Sequence, residues 1–193
     1  MLIARAERNF IGAWTAMAEA LPGGAVSTGD GVAVAITGIA LAPFNLVFIT
    51  HPHRSPKKVL RSAIRDIAAA GVPALVRIRS DLGAEIDAAE RLGLDDAGDL
   101  PVMAMSPIAA LAAPPGGLRV DTVADDAGAA DHLRVVAESF GLPADQTAPL
   151  VSRPVWTLDN FELYVGYEDG RPVATAALCM TAGTAGVYNV AVS

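Results

Sequence analysis

The sequence of 193 residues contains a single cysteine, Cys179, and has few charged side chains. One cysteine excludes an intrachain disulfide framework, and a reducing cytoplasm is the compartment that best suits such a chain. Acidic residues outnumber basic ones: the chain has 21 Asp and Glu and 14 Lys and Arg, which gives a formal net charge of −7. This balance argues against nucleic acid or an anionic membrane as a partner.

Signal-peptide and membrane-span patterns are also missing. The N-terminus has no long apolar core of the kind that a signal peptide requires. Three long stretches carry no charge, Gly31–Thr50, Pro101–Leu118 and Pro172–Ser193. Each is interrupted by Gly, Pro or Asn, whereas a membrane span needs about 20 apolar residues in one helix. With 52% hydrophobic residues in the chain, buried strands of a folded core explain these stretches.

The first part of the sequence alternates helix and strand patterns. Apolar residues at helical spacing predict a helix over Glu7–Leu21. Two strand-like runs flank Thr28-Gly29-Asp30-Gly31, a sequence that favours a hairpin turn. A strand is predicted at Leu46–Thr50, and the next helix has Ser55 as its cap, Pro56 in its first turn and Gly71 after its end.

The pattern continues with a strand at Leu75–Ile78, a helix that begins at Asp81 and a last strand at Pro101–Ser106. An Ala-rich tract and Pro114-Pro115-Gly116-Gly117 follow, and we interpret this segment as a linker. We therefore expect a first domain over residues 1–113 and a second over residues 117–193.

The second part begins with a strand at Leu118–Val123 and a helix capped by Asp125 or Asp126. A short helix at Asp145–Val151 and a loop at Ser152–Asn160 come next. The chain then predicts a three-stranded meander, whose first turn is Glu168-Asp169-Gly170.

The order strand, helix, helix, strand, strand, strand over Leu118–Ser193 resembles the opening of the GNAT N-acetyltransferase fold. The run Val187-Tyr188-Asn189-Val190-Ala191-Val192 is similar to the fourth strand of that family. The resemblance implies an α/β fold of the α+β mixed-sheet type, with a central, mostly antiparallel sheet flanked by helices. Residues 1–113 would be a degenerate GNAT-like lobe, and residues 117–193 the first half of a GNAT domain, truncated after its fourth strand.

The resemblance also implies acetyl-CoA as a co-substrate and a small-molecule or peptide amine as the acceptor. In the family, backbone groups of the fourth strand pair with the pantetheine arm as an added strand would. The matching positions are Val190, Ala191 and Val192. The pyrophosphate loop of the family, Arg/Gln-x-x-Gly-x-Gly/Ala, would begin just after Ser193. We therefore expect the chain to be part of a longer enzyme and to bind acetyl-CoA weakly by itself.

Catalytic residues are less clearly indicated. Acyl transfer to an amine needs a group that takes the amine proton, and Glu162 on the first meander strand is the candidate carboxylate. Tyr188 and Asn189 on the last strand are the other candidates, because adjacent strand residues face opposite sides and one of the two should point towards the acceptor. We expect Cys179 to be a buried, inert thiol. His51 and His53 are two ligands without a third, so no metal site is expected.

A second hypothesis comes from a different class of function. The chain would be a non-catalytic GNAT-like binding or regulatory module. Its uncharged last strand would then pair with a second copy and form a homodimer, because an unpaired strand edge favours association.

Overall fold

The computed structural model describes residues 2–108, 116–181 and 183–193 of the chain. It divides into two compact units by its internal contacts. We call Met1–Ala13 with Val102–Ser193 the terminal unit, and Trp14–Pro101 the inner unit. The Ala-rich tract after Ile108, with Pro114 and Pro115 of the predicted linker, lies outside the described residues. The assignment of residues 1–113 and 117–193 to two GNAT-like domains stays a prediction.

Helix α1 (Leu2–Ala20) confirms the first predicted helix and begins five residues before Glu7. Its buried residues include Ala13, Met17 and Ala18, which recur at helical spacing. The residues up to Ala13 are grouped with the terminal unit, so one helix contributes to both units.

The inner unit contains one mixed four-stranded sheet. Its strands are β1 (Ala25–Gly29), β2 (Val32–Ile36), β3 (Asn45–Ile49) and β4 (Leu75–Ile78). They are arranged in the order β1-β2-β3-β4; the first two pairs are antiparallel and the last is parallel. The parallel pair requires a crossover, which α2 (Pro56–Ala70) provides. Helix α3 (Gly83–Glu90) follows β4 and begins two residues after the predicted start at Asp81.

Local sequence signals account for these boundaries. Asp30 and Gly31 form the turn between β1 and β2 with φ of 48° and 75°, the left-handed pair that a two-residue hairpin requires. Pro56 begins α2 and Gly71 ends it at φ 68°, as predicted. Ser55 occupies the cap position, but its side chain makes no capping hydrogen bond.

The core of the inner unit lies between one sheet face and helices α2 and α3. It contains alternate residues of the strands and the inward residues of both helices, among them Val34, Val47, Ile49, Leu60 and Ala88. This alternation follows from the two-residue period of a strand.

Asn45 is a fully buried polar residue at the start of β3. Its Oδ1 accepts hydrogen bonds from the Thr37 N–H, the Thr37 hydroxyl and the Gly38 N–H. Its Nδ2 donates to the carbonyl oxygens of Ile39, Leu41 and Pro73. One amide side chain therefore bonds four backbone groups of the loop between β2 and β3 and also the Pro73 carbonyl oxygen before β4.

The strand predicted at Pro101–Ser106 is wrong, because these residues form no strand. Val102, Met103 and Met105 are exposed by 57%, 91% and 62%, so no element within residues 2–108, 116–181 and 183–193 covers their apolar side chains. Pro101 also lacks the backbone N–H that a sheet ladder would use.

The terminal unit contains a second four-stranded sheet, which is antiparallel throughout. Its strands are β5 (Leu118–Thr122), β6 (Phe161–Glu168), β7 (Arg171–Thr181) and β8 (Thr184–Val192), in the order β5-β6-β7-β8. The predicted meander is confirmed, with Asp169 and Gly170 in left-handed conformations at its first turn.

Helix α4 (Asp126–Phe140) packs on β6, β7 and β8. Asp125 is its cap, since its carboxylate accepts a hydrogen bond of 2.8 Å from the Gly128 N–H. Two short helices follow, α5 (Ala144–Thr147) and α6 (Arg153–Trp156). The second replaces the first part of the predicted loop at Ser152–Asn160, because Val155 is buried and anchors a helical turn.

The structure therefore has an α/β fold with two sheets, one mixed and one antiparallel, flanked by helices. Among the described residues, β1–β4 and β5–β8 form two distinct sheets, and the expected antiparallel arrangement holds throughout the second and for two of the three strand pairs of the first. In the part of the chain that the structure describes, no helix is both long and apolar enough to cross a membrane.

Candidate functional site

Strand β8 contains a β-bulge in its second half. The register changes from Ala177 opposite Tyr188 to Thr175 opposite Ala191, so Asn189 and Val190 together lie opposite one residue of β7. Asn189 has φ 49°, a left-handed conformation that Asn tolerates better than most residues. A bulge of this kind bends the strand and increases its twist.

One hydrogen bond holds the bulge in place. The Thr175 hydroxyl of β7 donates to the Asn189 carbonyl oxygen at 3.0 Å. The sequence prediction missed this feature. The signal was present, because Asn189 is the one residue with a polar amide in an apolar strand run.

The outer edge of β8 pairs with no other strand of the described residues. Val190 and Val192, two of the predicted cofactor positions, are exposed by 61% and 72%, whereas Ala191 between them is buried. The Val192 carbonyl oxygen accepts a hydrogen bond of 3.0 Å from the Ser139 hydroxyl of α4. In an edge strand, alternate N–H and C=O groups point away from the sheet and can pair with an added strand.

Tyr188 is directed at helix α1. Its hydroxyl donates to Oδ1 of Asn9, and its ring stacks on Phe10 with centroids 6.0 Å apart and planes 20° apart. Burial raises the pKa of the Tyr188 phenol, and the nearby Cys179 adds to the shift. The phenol therefore stays protonated at neutral pH. The two neighbouring residues therefore have different structural roles. Tyr188 is held against helix α1, and Asn189 forms part of the bulge in β8.

Glu162 is an exposed residue of β6 whose carboxylate accepts a hydrogen bond from the Tyr164 hydroxyl. That hydrogen bond is the main cause that raises the pKa of Tyr164. Glu162 lies opposite Leu178 of β7, which in turn lies opposite Val187 of β8. Paired residues share a sheet face, so the carboxylate is on the same face as Val187, two strands away from β8.

The thiol of Cys179 is fully buried in β7. Desolvation raises its pKa to about 11, which leaves almost no thiolate at neutral pH. The amide of Asn160 lies 3.8 Å from the sulfur and is its hydrogen-bond donor. This environment fits the predicted inert thiol and not a nucleophile.

The two histidines of the inner unit have partners within the protein. His51 Nδ1 is 2.8 Å from the Thr50 hydroxyl, and His53 Nε2 is 2.7 Å from the Asp30 carbonyl oxygen. The His53 N–H donates to the buried carboxylate of Glu85 at 2.7 Å. Over residues 2–108, 116–181 and 183–193, no three or more His, Cys, Asp or Glu residues are grouped so as to hold a metal ion.

Comparison with known proteins gives similarity at the level of fold. No protein-family model matches the chain, and no curated protein is similar to it in sequence. A GCN5-related N-acetyltransferase from Kribbella flavida superposes with a TM-score of 0.66 and 13% identity, over 95% of this chain and 71% of that one. A functionally unknown conserved protein from Staphylococcus epidermidis ATCC 12228 gives a TM-score of 0.50 and 16% identity, over 88% and 71%.

The chain therefore has a GNAT-like fold, and the similarity to an N-acetyltransferase extends over almost its whole length. At 13% identity this comparison establishes the arrangement of helices and strands only. Function must be inferred from the residues of the site.

Proposed function

We propose that this chain contributes the cofactor-pairing strand of an N-acetyltransferase, which transfers an acetyl group from acetyl-CoA to an amine. The observation that carries the proposal is the open outer edge of β8, with its bulge at Asn189 and Val190, in a GNAT-like fold. An edge strand with exposed backbone groups offers the pattern that an extended amide-containing arm can match.

The residues of β8 fit the pantetheine arm of acetyl-CoA. The arm carries two amide groups and no charge, so it needs hydrogen-bond partners on a backbone and no basic side chain. The segment Val190–Val192 is uncharged and lies on the outer edge of the sheet. When bound, acetyl-CoA would supply the acetyl group as a reactive thioester.

The acceptor amine would attack the thioester carbon and lose a proton. The new C–N bond would replace the C–S bond, and CoA would leave as a thiolate that takes up a proton from solvent. We propose Glu162 as the group that receives the amine proton through ordered water, because its exposed carboxylate lies on the same sheet face as Val187. The Tyr164 hydroxyl orients that carboxylate. Tyr188 and Asn189 would contribute through the strand itself, by fixing its position and its bend.

Amide hydrogen exchange with and without millimolar acetyl-CoA tests the proposal. We expect slower exchange in the segment 184–193 and no change in β1, the edge strand of the inner unit. Absence of any change in 184–193 at saturating concentration would contradict the proposal.

A matched pair of variants at the bulge makes the test sharper. Asn189→Gly keeps access to positive φ and should retain the protection by acetyl-CoA, whereas Asn189→Val disfavours that conformation and should lose it. Val190→Thr preserves the branched shape and changes only the side chain. Its binding should equal that of the wild type, because backbone groups make the contact.

The exposed edge of β8 also favours a second candidate function, self-association of a non-catalytic module. Val187, Val190 and Val192 are exposed by 61%, 61% and 72% along this edge, and a row of apolar residues on an unpaired strand promotes pairing between copies. Light scattering should then show a dimer, and Val190→Lys should convert it to a monomer. A monomeric wild type would refute this alternative.

A further inference from the structure

The inner side of the β7–β8 hairpin is held by a residue from the opposite end of the chain. Asn9 of α1 donates through Nδ2 to the carbonyl oxygens of Cys179 at 3.0 Å and Thr184 at 2.8 Å. Its Oδ1 accepts the hydrogen bond from the Tyr188 hydroxyl. These contacts join residues 170, 175 and 179 positions apart in the sequence.

Both N–H groups of the Asn9 side-chain amide donate hydrogen bonds. The residue is 1% exposed, both Nδ2 protons have acceptors, and Oδ1 has a donor. Other contacts of α1 support the same hairpin, since Arg5 donates to the Gly183 carbonyl oxygen and Phe10 stacks on Tyr188.

The strand itself leaves room for this side chain. Gly186 lies next to Asn9, and a Cβ atom at that position would come within 1.9 Å of the Asn9 Oδ1 and 2.5 Å of the Tyr188 hydroxyl. A side chain at position 186 would therefore have to displace the side chain of Asn9 or Tyr188.

The three hydrogen-bond partners of Asn9 lie on both strands of the hairpin, and one of them adjoins the bulge. Cys179 is in β7 and Thr184 is the first residue of β8, so the two donated bonds hold both arms of the hairpin. Tyr188 directly precedes Asn189, where the bulge begins. The third bond therefore anchors the last regular residue of β8 before the strand bends.

We infer that Asn9 is a positioning residue for the cofactor-pairing edge of β8: it fixes the strand up to Tyr188, and thereby the place and direction of the bulge at Asn189 and Val190. The part of this inference that concerns cofactor pairing rests on the proposed function. Its structural part, the control of β8 by Asn9, is testable without any ligand.

The test uses the full chain and compares Asn9→Ala with Met17→Ala. Met17 is also buried in α1 but is grouped with the inner unit, so we expect its truncation to lower the stability of that unit. Amide hydrogen exchange is measured for each variant, first alone and then with acetyl-CoA. Conditions are chosen at which circular dichroism shows both variants folded.

Asn9→Ala should accelerate exchange in the segment 184–193 about tenfold or more, since two backbone carbonyls and one phenol lose their partner. Exchange in β2 and β3 should stay as in the wild type. Met17→Ala should show the reverse, with the change confined to the inner unit. Asn9→Asp keeps an acceptor for Tyr188 but places a buried carboxylate oxygen against the two carbonyl oxygens, so it should accelerate exchange in 184–193 at least as much as Asn9→Ala.

With acetyl-CoA, the wild type and Met17→Ala should gain the same protection in 184–193, and Asn9→Ala should need at least about tenfold more ligand for it. If exchange in 184–193 is equal in Asn9→Ala and the wild type, the positioning role is refuted, whatever the ligand does. If Asn9→Ala accelerates exchange but acetyl-CoA protects none of the proteins, the proposed function fails while the control of β8 by Asn9 stands.

Discussion

Replacement of Gly186 by alanine tests the packing of helix α1 on β8 with a single methyl group. The added Cβ would lie 1.9 Å from the Asn9 Oδ1 and 2.5 Å from the Tyr188 hydroxyl, both far inside contact distance. Both atoms belong to side chains, which could in principle move aside. Asn9 is pinned by its two donated bonds and Tyr188 by stacking on Phe10, so movement breaks the interactions that hold them.

The expected cost follows from those interactions. Gly186→Ala should disrupt three hydrogen bonds, each of which contributes about 1 kcal/mol to stability. The free energy of unfolding of the terminal unit should therefore fall by about 3 kcal/mol. For a unit of about a hundred residues, this corresponds to a decrease in Tm of about 10 °C or more.

Urea denaturation followed by circular dichroism measures the change. Gly29→Ala is the matched control, because Gly29 is also in a strand but has nothing within 4 Å of an added Cβ; its effect should stay within about 0.5 kcal/mol. In the double variant Asn9→Ala with Gly186→Ala, the two costs should be strongly less than additive. Full additivity, or a neutral Gly186→Ala, would refute the proposed contact.

Three further outcomes are expected. Asn45→Ala should lower the free energy of unfolding by about 3–5 kcal/mol, since its six hydrogen bonds are lost and buried backbone groups are left without partners. Burial lowers the pKa of His132 from 6.5, so the unfolded chain takes up this proton at higher pH than the folded chain. Stability should thus decrease as the pH falls below about 6.5, and His132→Asn should flatten that part of the pH profile. Cys179 should react with a thiol reagent at pH 8 at least about a hundredfold more slowly than an unfolded control, because it is buried and its pKa is about 11.

For each of these three predictions, one result would contradict the reasoning. A urea midpoint for Asn45→Ala equal to that of the wild type would mean that water replaces its hydrogen bonds. An unchanged acid profile in His132→Asn would assign the acid sensitivity to other groups. Rapid labelling of Cys179 in the folded protein would show that β7 opens easily.

The hairpins were predictable from the sequence because their signals are local. Asp30-Gly31 and Asp169-Gly170 adopt the left-handed pair that a tight turn between two strands needs. The alternation of apolar residues in β6 likewise predicted a strand that is half buried. The meander and the order of its strands followed from these features alone.

Other features depend on contacts that no local pattern reveals. The apolar run at Pro101–Ser106 has the composition of a strand, yet no strand of the described residues pairs with it. The bulge at Asn189 arises from the register between β7 and β8, which one strand cannot specify by itself. The role of Asn9 depends on partners at least 170 residues away, so its helical pattern gave no indication of it.

The terminal unit is formed by two segments that are separated in the sequence by the inner unit, and this has a consequence for its folding during synthesis. Its first part, up to Ala13, is synthesised before the inner unit, whereas Thr184 and Tyr188 are synthesised after it. The inner unit, Trp14–Pro101, is complete long before and can fold while elongation continues. The segment with the buried Asn9 therefore cannot form its contacts with β7 and β8 until both strands have been synthesised, and the stacking of Phe10 on Tyr188 has to wait for the same strand.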